Sequence, residues 1–120
     1  METMLEKFLE YLKFEKKYSD LTIKNYKRDI EYFIEFINDK KIKSIDDIEY
    51  QTVRNYLIHL HNHQYSKKTI SRYISSLRSF FKFLYMEGKI KNNPMLQKYI
   101  RENSYWYKNL NRNPDLIEVL

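Results

Sequence analysis

Lys68, Arg72, Ser75, Ser79 and Lys82 recur along one side of the stretch Gln64 to Lys91, QYSKKTISRYISSLRSFFKFLYMEGKIK. Their spacing of four, three, four and three residues puts them on one face of an α-helix. Short hydroxyls between cations leave room for a flat, charged partner to come close to the helix backbone. Arg and Lys contact phosphate oxygens, and Ser hydroxyls donate to phosphates or to base edges, so this face suits a phosphate backbone. Ser71, Ser76 and Arg78 lie at its margins. The competing reading is an ordinary solvated face. Against it, the segment holds seven Lys or Arg and one acid, Glu87, and the face carries no Glu for pairing along the helix.

The element that must carry this face is well bounded. Ile70, Ile74, Leu77, Phe81 and Leu84 line its other side with helical spacing. Ser66 is placed as an N-cap, and Gly88 lies just past the last turn, where a left-handed residue is wanted. The spacing predicts a helix over Lys67 to Glu87, about 30 Å long. A second helix starts at the cap Ser19, with Asp20 in its first turn beside the positive end of the dipole. Its apolar face is Ile23, Tyr26, Ile30, Phe33, Ile34 and Ile37, and it ends near Asn38 to Lys41. Lys24, Lys27 and Arg28 gather on the outer side of its first half, and Glu31 and Glu35 occupy the second. A duplex against the N-terminal half would meet the cations and leave before the acids. Ordinary surface pairing, such as Lys24 with Glu31, is the alternative and is worth at most a few tenths of a kcal/mol per pair, as an order of magnitude.

The remaining segments read as packing elements. A first helix from about Glu2 to Lys16 buries Leu5, Phe8, Leu9 and Leu12, and acids and bases cancel over residues 1–18. Lys43 to Glu49 is a connector with one turn, where Ser44 and Asp47 resemble a capping box. A third helix, about Tyr50 to His61, turns Val53, Leu57 and Leu60 inward; the segment Ser44 to His63 is net acidic and is expected to face away from DNA. His59 and His63 can share a helix face, but no carboxylate or Cys accompanies them, so a role at the negative end of the helix is expected rather than a metal site. After Gly88, Asn93 caps a new start with Pro94 at its first position, giving a short fifth helix from Met95 to Glu102. The cluster Tyr105, Trp106 and Tyr107 follows, read as core plugs rather than base-stacking rings. Asn113-Pro114 opens a final DLIEVL, too short to be stable alone.

Two runs together resemble a known family. Ser66-Lys-Lys-Thr-Ile-Ser-Arg-Tyr-Ile-Ser-Ser-Leu-Arg-Ser-Phe-Phe-Lys-Phe-Leu, with Glu87-Gly88-Lys-Ile and Asn93-Pro94 after it, is similar to the last long helix of the core-binding domain of Xer-type and phage tyrosine recombinases. Tyr18-Ser-Asp-Leu-Thr-Ile-Lys-Asn-Tyr-Lys-Arg-Asp-Ile, followed by Phe33 and Phe36-Ile37, resembles that domain's second helix. The matches fall in order and with the helices around them cover about residues 4 to 94. The resemblance implies a SAM-like DNA-binding domain in which these two helices lie across one side of a duplex, and a first helix able to meet a neighbouring protomer. The chain departs from the family after Asn93-Pro94, where a linker and catalytic domain would follow. Either this is a fragment of a longer enzyme, or the tail docks on the first four helices.

Composition agrees. One Gly and two Pro in 120 residues leave few turn-formers for a sheet built on hairpins, so an all-α fold follows. A chain of this length makes one core. Hydrophobic residues are 42% of the chain but are too interrupted by charge for a membrane span, and Glu2, Glu6 and Glu10 break any signal-peptide run. A cytoplasmic location is expected, in keeping with the absence of Cys. The net charge of +6 and pI near 9.3 favour an anionic partner, nucleic acid before membrane.

The expectation is a four-helix, SAM-like orthogonal bundle over residues 1–92, with residues 93–120 as a linker or short helical tail. Its DNA contacts are expected to be Lys24, Lys27, Arg28, Lys67, Lys68, Arg72, Ser75, Ser79 and Lys82. No catalytic residue, metal, cofactor, small-molecule substrate or membrane is expected. Strand transfer in the family needs a tyrosine nucleophile with arginines and a His-x-x-Arg element, and no His-x-x-Arg occurs here. Double-stranded DNA is the expected partner, with other recombinase protomers reached through the first helix or the tail. The alternatives are a stand-alone helical protein-interaction domain and an accessory DNA-binding protein.

Overall fold

Ser19 and Ser66 both sit in extended backbone, at φ −65°, ψ 157° and φ −66°, ψ 157°. Each Oγ accepts a backbone N–H, from Thr22 at 3.2 Å and from Thr69 at 3.1 Å, and donates to the same threonine's Oγ1 at 2.9 Å. The caps therefore satisfy donors that the first helical turn leaves open. In the computed structural model, which describes residues 1–95, the helices they open are α2 (Asp20–Asp39) and α4 (Lys67–Met86), 20 residues each. α1 (Glu2–Phe14) precedes them, and α3 (Tyr50–Asn62) lies between them after a single 3-10 turn at Ile45–Asp47. Among the described residues there is no strand, so the all-α, four-helix expectation holds.

α2 and α4 are two copies of one pattern. Tyr18, Ser19, Thr22, Ile23, Tyr26, Phe33 and Phe36 recur in order as Tyr65, Ser66, Thr69, Ile70, Tyr73, Phe80 and Phe83. The turns before them recur too: Lys17 and Gln64 are left-handed at φ 55° and 63°. Tyr18 N–H then donates to the carbonyl of Leu12 at 3.0 Å, and Tyr65 N–H to that of Leu60 at 3.3 Å. A left-handed non-glycine residue costs of order 1 kcal/mol, which these closing hydrogen bonds offset. The domain is thus two helical hairpins, α1–α2 and α3–α4, joined at α2 and α4.

Both central helices touch more than one neighbour, so their apolar stripes are wider than the spacing predicts. Phe8 of α1 is fully buried against Tyr26 of α2 and against Phe80 and Phe83 of α4, with ring centroids 5.9, 5.3 and 5.5 Å away. Phe33 and Phe36 of α2 close on Tyr56 of α3 at 5.0 and 5.2 Å. Phe36, Tyr56, Tyr73, Phe80 and Phe83 join the expected core, whereas Leu9, Ile23, Tyr26 and Ile74 are only partly covered.

Three local expectations are corrected. α1 stops at Phe14 rather than Lys16, because the Lys16 N–H reaches back five residues to the Tyr11 carbonyl, which the Glu15 N–H already takes, instead of continuing the four-residue pattern. Ser44 receives the N–H of Asp46, at 3.2 Å, so Ser44 and Asp47 form no capping box. The capping box belongs to α3: Glu49 receives the backbone N–H at Thr52, and Thr52 Oγ1 receives that of Glu49 at 3.1 Å. α4 ends at Met86, and Gly88 (φ 70°) takes the left-handed position expected of it. Asn93 Oδ1 receives the Met95 N–H at 2.9 Å, as an N-cap ahead of Pro94 does. The expected helix beyond Met95, the Tyr105 to Tyr107 cluster and DLIEVL lie outside the described residues.

Candidate nucleic-acid interface

The positions read from the sequence are almost all on the surface. Lys24, Lys27 and Arg28 on α2 are exposed, as are Lys67, Lys68, Arg72, Ser75 and Lys82 on α4; Ser79 is half-buried. The capped N-terminus of each helix fixes its rotation, and the buried stripe opposite fixes which side faces outward.

The two sets meet at an acid that the sequence reading did not single out. Asp29 of α2 is buried, with 1% of its side chain exposed, and takes the Arg72 Nη2–H on Oδ1 at 3.0 Å. Arg28 Nε lies 3.7 Å from the same oxygen, while Ser76 Oγ donates to Oδ2 at 2.7 Å. An unpaired buried carboxylate is costly, and here both oxygens are satisfied. Ser76 therefore does not sit at the margin of the outer face but points into the α2–α4 seam, where it is buried. Likewise, the acid that pairs with Arg72 comes from the neighbouring helix, not from α4 itself.

An aromatic group lies behind this pair. The Arg72 guanidinium lies 4.9 Å from the Tyr73 ring centre, a cation–π distance, and Tyr73 stacks on Tyr32 at 5.7 Å. Tyr65 donates its hydroxyl hydrogen to Tyr32 Oη at 3.2 Å. Burial first, then this hydrogen bond, pushes the Tyr32 hydroxyl up to about 12. Arg72 is thus held from two sides, yet 46% of its side chain remains exposed.

A second convergence lies farther along α4. Ser79 and Lys82 share a cleft with Lys16, Tyr18 and Tyr26 and with the apolar Met86. The charge balance of residues 1–18 conceals Lys16, which stands past the end of α1, next to the basic face. The adjacent pair Lys16-Lys17 in the α1–α2 turn is the signal that locates it.

The histidines gather at the C-terminal end of α3, where His59 also reaches the Tyr32 ring, 6.2 Å between centroids. His59 and His63 rings are 4.1 Å apart, and His63 Nδ1 lies 2.8 Å from the His59 carbonyl oxygen, an arrangement that serves the helix end. His59 is held below the usual histidine range by burial, then by His63 and Lys40. Among the described residues no group of three or more His, Cys, Asp or Glu is placed to hold a metal ion, and no helix is long and apolar enough to cross a membrane.

A family model described as phage integrase, N-terminal SAM-like domain, matches residues 5–88, and one described as YlbE-like protein matches residues 85–120. Curated relatives include tyrosine recombinase XerC of Oceanobacillus iheyensis, 36% identical over 104 residues, which covers 87% of this chain and 34% of the relative. XerC of Anoxybacillus flavithermus is 46% identical over 90 residues, covering 75% and 30%. XerD of Staphylococcus epidermidis is 33% identical over 119 residues, covering 99% and 38%. The chain spans about a third of the length of these relatives. No solved structure matches it.

Proposed function

Because the chain belongs to the family of phage integrase N-terminal SAM-like domains, we propose that residues 1–92 are the DNA-binding module of a site-specific tyrosine recombinase or integrase. The module lies against one side of duplex DNA during recombination or integration. The observation that carries this reading is that one exposed cation from each helix, Arg28 of α2 and Arg72 of α4, converges on Asp29, so the basic faces of the two helices adjoin there. Lys24, Lys27, Arg28, Lys67, Lys68, Arg72 and Lys82 meet phosphates, with Ser75 and Ser79 donating between them and Lys16 added at the far end. These residues bind and orient DNA; catalysis belongs to another domain of the recombinase, and the setting is the cytoplasm.

The test is charge reversal away from the buried carboxylate. A glutamate at position 72 would face Asp29 and harm the fold, so Lys68→Glu with Lys82→Glu is the informative variant. It should abolish retardation of duplex DNA while leaving the helical circular-dichroism spectrum unchanged. Undiminished binding by a folded variant would refute the assignment of the face.

A protein partner is the second reading, favoured by Phe14, Leu21 and Met86, which are 68%, 69% and 64% exposed. Exposed apolar side chains of this size suit contact with a second protomer, and Phe14 belongs to the first helix. Concentration-dependent association that ignores salt and is lost in Phe14→Ser would support it; a monomer at all concentrations would not.

A further inference from the structure

We infer that Asp29 is a positioning residue that holds Arg28 and Arg72 together as a clamp for a single backbone phosphate at the α2–α4 seam. This rests on the reading that the face binds a duplex, and it deepens that reading.

Asp29 cannot touch DNA itself, since only 1% of its side chain is exposed. What it can do is set the position of its partners. The Ser76 hydroxyl, 2.7 Å from Oδ2, keeps the carboxylate from rotating, and Oδ1 is then aimed at Arg72 Nη2 (3.0 Å) and Arg28 Nε (3.7 Å). A guanidinium carries five N–H donors, and each arginine commits one edge at most to this oxygen. Both side chains stay about half exposed, at 56% for Arg28 and 46% for Arg72, so the remaining donors are open to solvent. The cation–π contact with the Tyr73 ring, 4.9 Å from its centre, also restrains the Arg72 group.

Two cations from different helices around one anion leave a local excess of positive charge. A phosphodiester is the anion this suits, because its two non-bridging oxygens match the donor forks of two guanidinium groups. Arginine in solution is flexible and loses that freedom when it binds; here much of it is already lost in the free protein, which favours binding. Asp29 thus offsets the repulsion its own charge adds.

The experiment compares wild type, Asp29→Asn, Arg72→Gln and the double variant for affinity to a labelled duplex at one salt concentration. Asparagine keeps the acceptor for Ser76 and removes the charge. Asp29→Asn should weaken binding about three- to tenfold, the scale of one freed side chain, even though it makes the protein more cationic. In the Arg72→Gln background, where only Arg28 is left for Asp29 to hold, the weakening should be clearly smaller. If it instead raises affinity by one factor in both backgrounds, the carboxylate only repels DNA and the inference fails. Equal weakening in both backgrounds also overturns it, since Asp29 would then act through the fold at large.

Two further readouts do not depend on how well Asp29→Asn folds. Losses from Arg28→Gln and Arg72→Gln should be less than multiplicative when combined, as two groups on one phosphate require; independent losses count against a shared clamp. In the free wild-type protein, ¹⁵N relaxation of the Arg72 side chain should give an order parameter above about 0.6, the upper bound of flexible groups; a lower value shows that Asp29 does not hold it. If the wild type binds no duplex at all, the DNA reading has failed, and the relaxation measurement alone decides whether Asp29 orders Arg72.

Discussion

Asp29 and Ser76 occupy equivalent positions in the two copies of the repeat, 47 residues apart, and are hydrogen-bonded to each other at 2.7 Å. This bond lies on the line along which α2 and α4 join. The pair also breaks the equivalence, with an acceptor on one side and a donor on the other. A carboxylate at both positions would repel, and a serine at both would leave Arg72 without its acid.

The bond should therefore matter to stability. Ser76→Ala removes a buried donor to a charged acceptor and should cost about 1.5–3 kcal/mol in urea unfolding, with no change in the helical spectrum. An unchanged midpoint would show that the seam does not depend on it.

Tyr56 presents the opposite case. Its ring is fully buried among Phe33, Phe36 and Tyr32, and its hydroxyl finds no hydrogen-bond partner among the described residues. Leaving a buried hydroxyl unsatisfied costs of order 1–3 kcal/mol. Tyr56→Phe should thus be neutral or stabilising, read as an equal or higher unfolding midpoint. A clear loss of stability would mean that the hydroxyl has a partner after all.

How far the sequence could be read depended on the range of the interaction. Caps and apolar spacing are local, so Ser19, Ser66 and Gly88 marked the two long helices to within a residue or so. The outward cations of α2 and α4 followed from the same periodicity. Asp29 was not legible in this way: next to Lys27 and Arg28 it looks like one more surface charge, and only the packing of α4 against α2 buries it. Ser76 looked like a neighbour of the basic face for the same reason. Aligning Tyr18-Ser-x-x-Thr-Ile with Tyr65-Ser-x-x-Thr-Ile would have placed the two at equivalent positions, although not in contact. The added aromatics Phe36, Tyr56, Phe80 and Phe83 were missed because a helix with two neighbours buries more than one stripe, and single-helix spacing does not reveal how many neighbours it has.

The pH dependence of stability should show the effect of His59. Its ring packs 5.0 Å from Phe36 and 4.1 Å from His63, and burial, then His63 and Lys40, lowers its proton affinity in the folded state. The unfolded chain, at about 6.5, therefore takes up the proton first. Its contribution to stability is fully present above about pH 6.5, declines as pH falls below that value and levels off below the folded pKa. His59→Gln should flatten the unfolding free energy between about pH 7 and 5; the same slope in both proteins would contradict this.

The central claim is that the exposed cations of α2 and α4 form a surface for a nucleic-acid duplex. Fluorescence anisotropy of a labelled duplex, titrated with the protein across a salt series, tests it most directly. If about five of these cations neutralise phosphates, the logarithm of the association constant should fall against that of salt with a slope of roughly −4 to −5. Absence of binding at low salt, or an affinity indifferent to salt, would contradict the account.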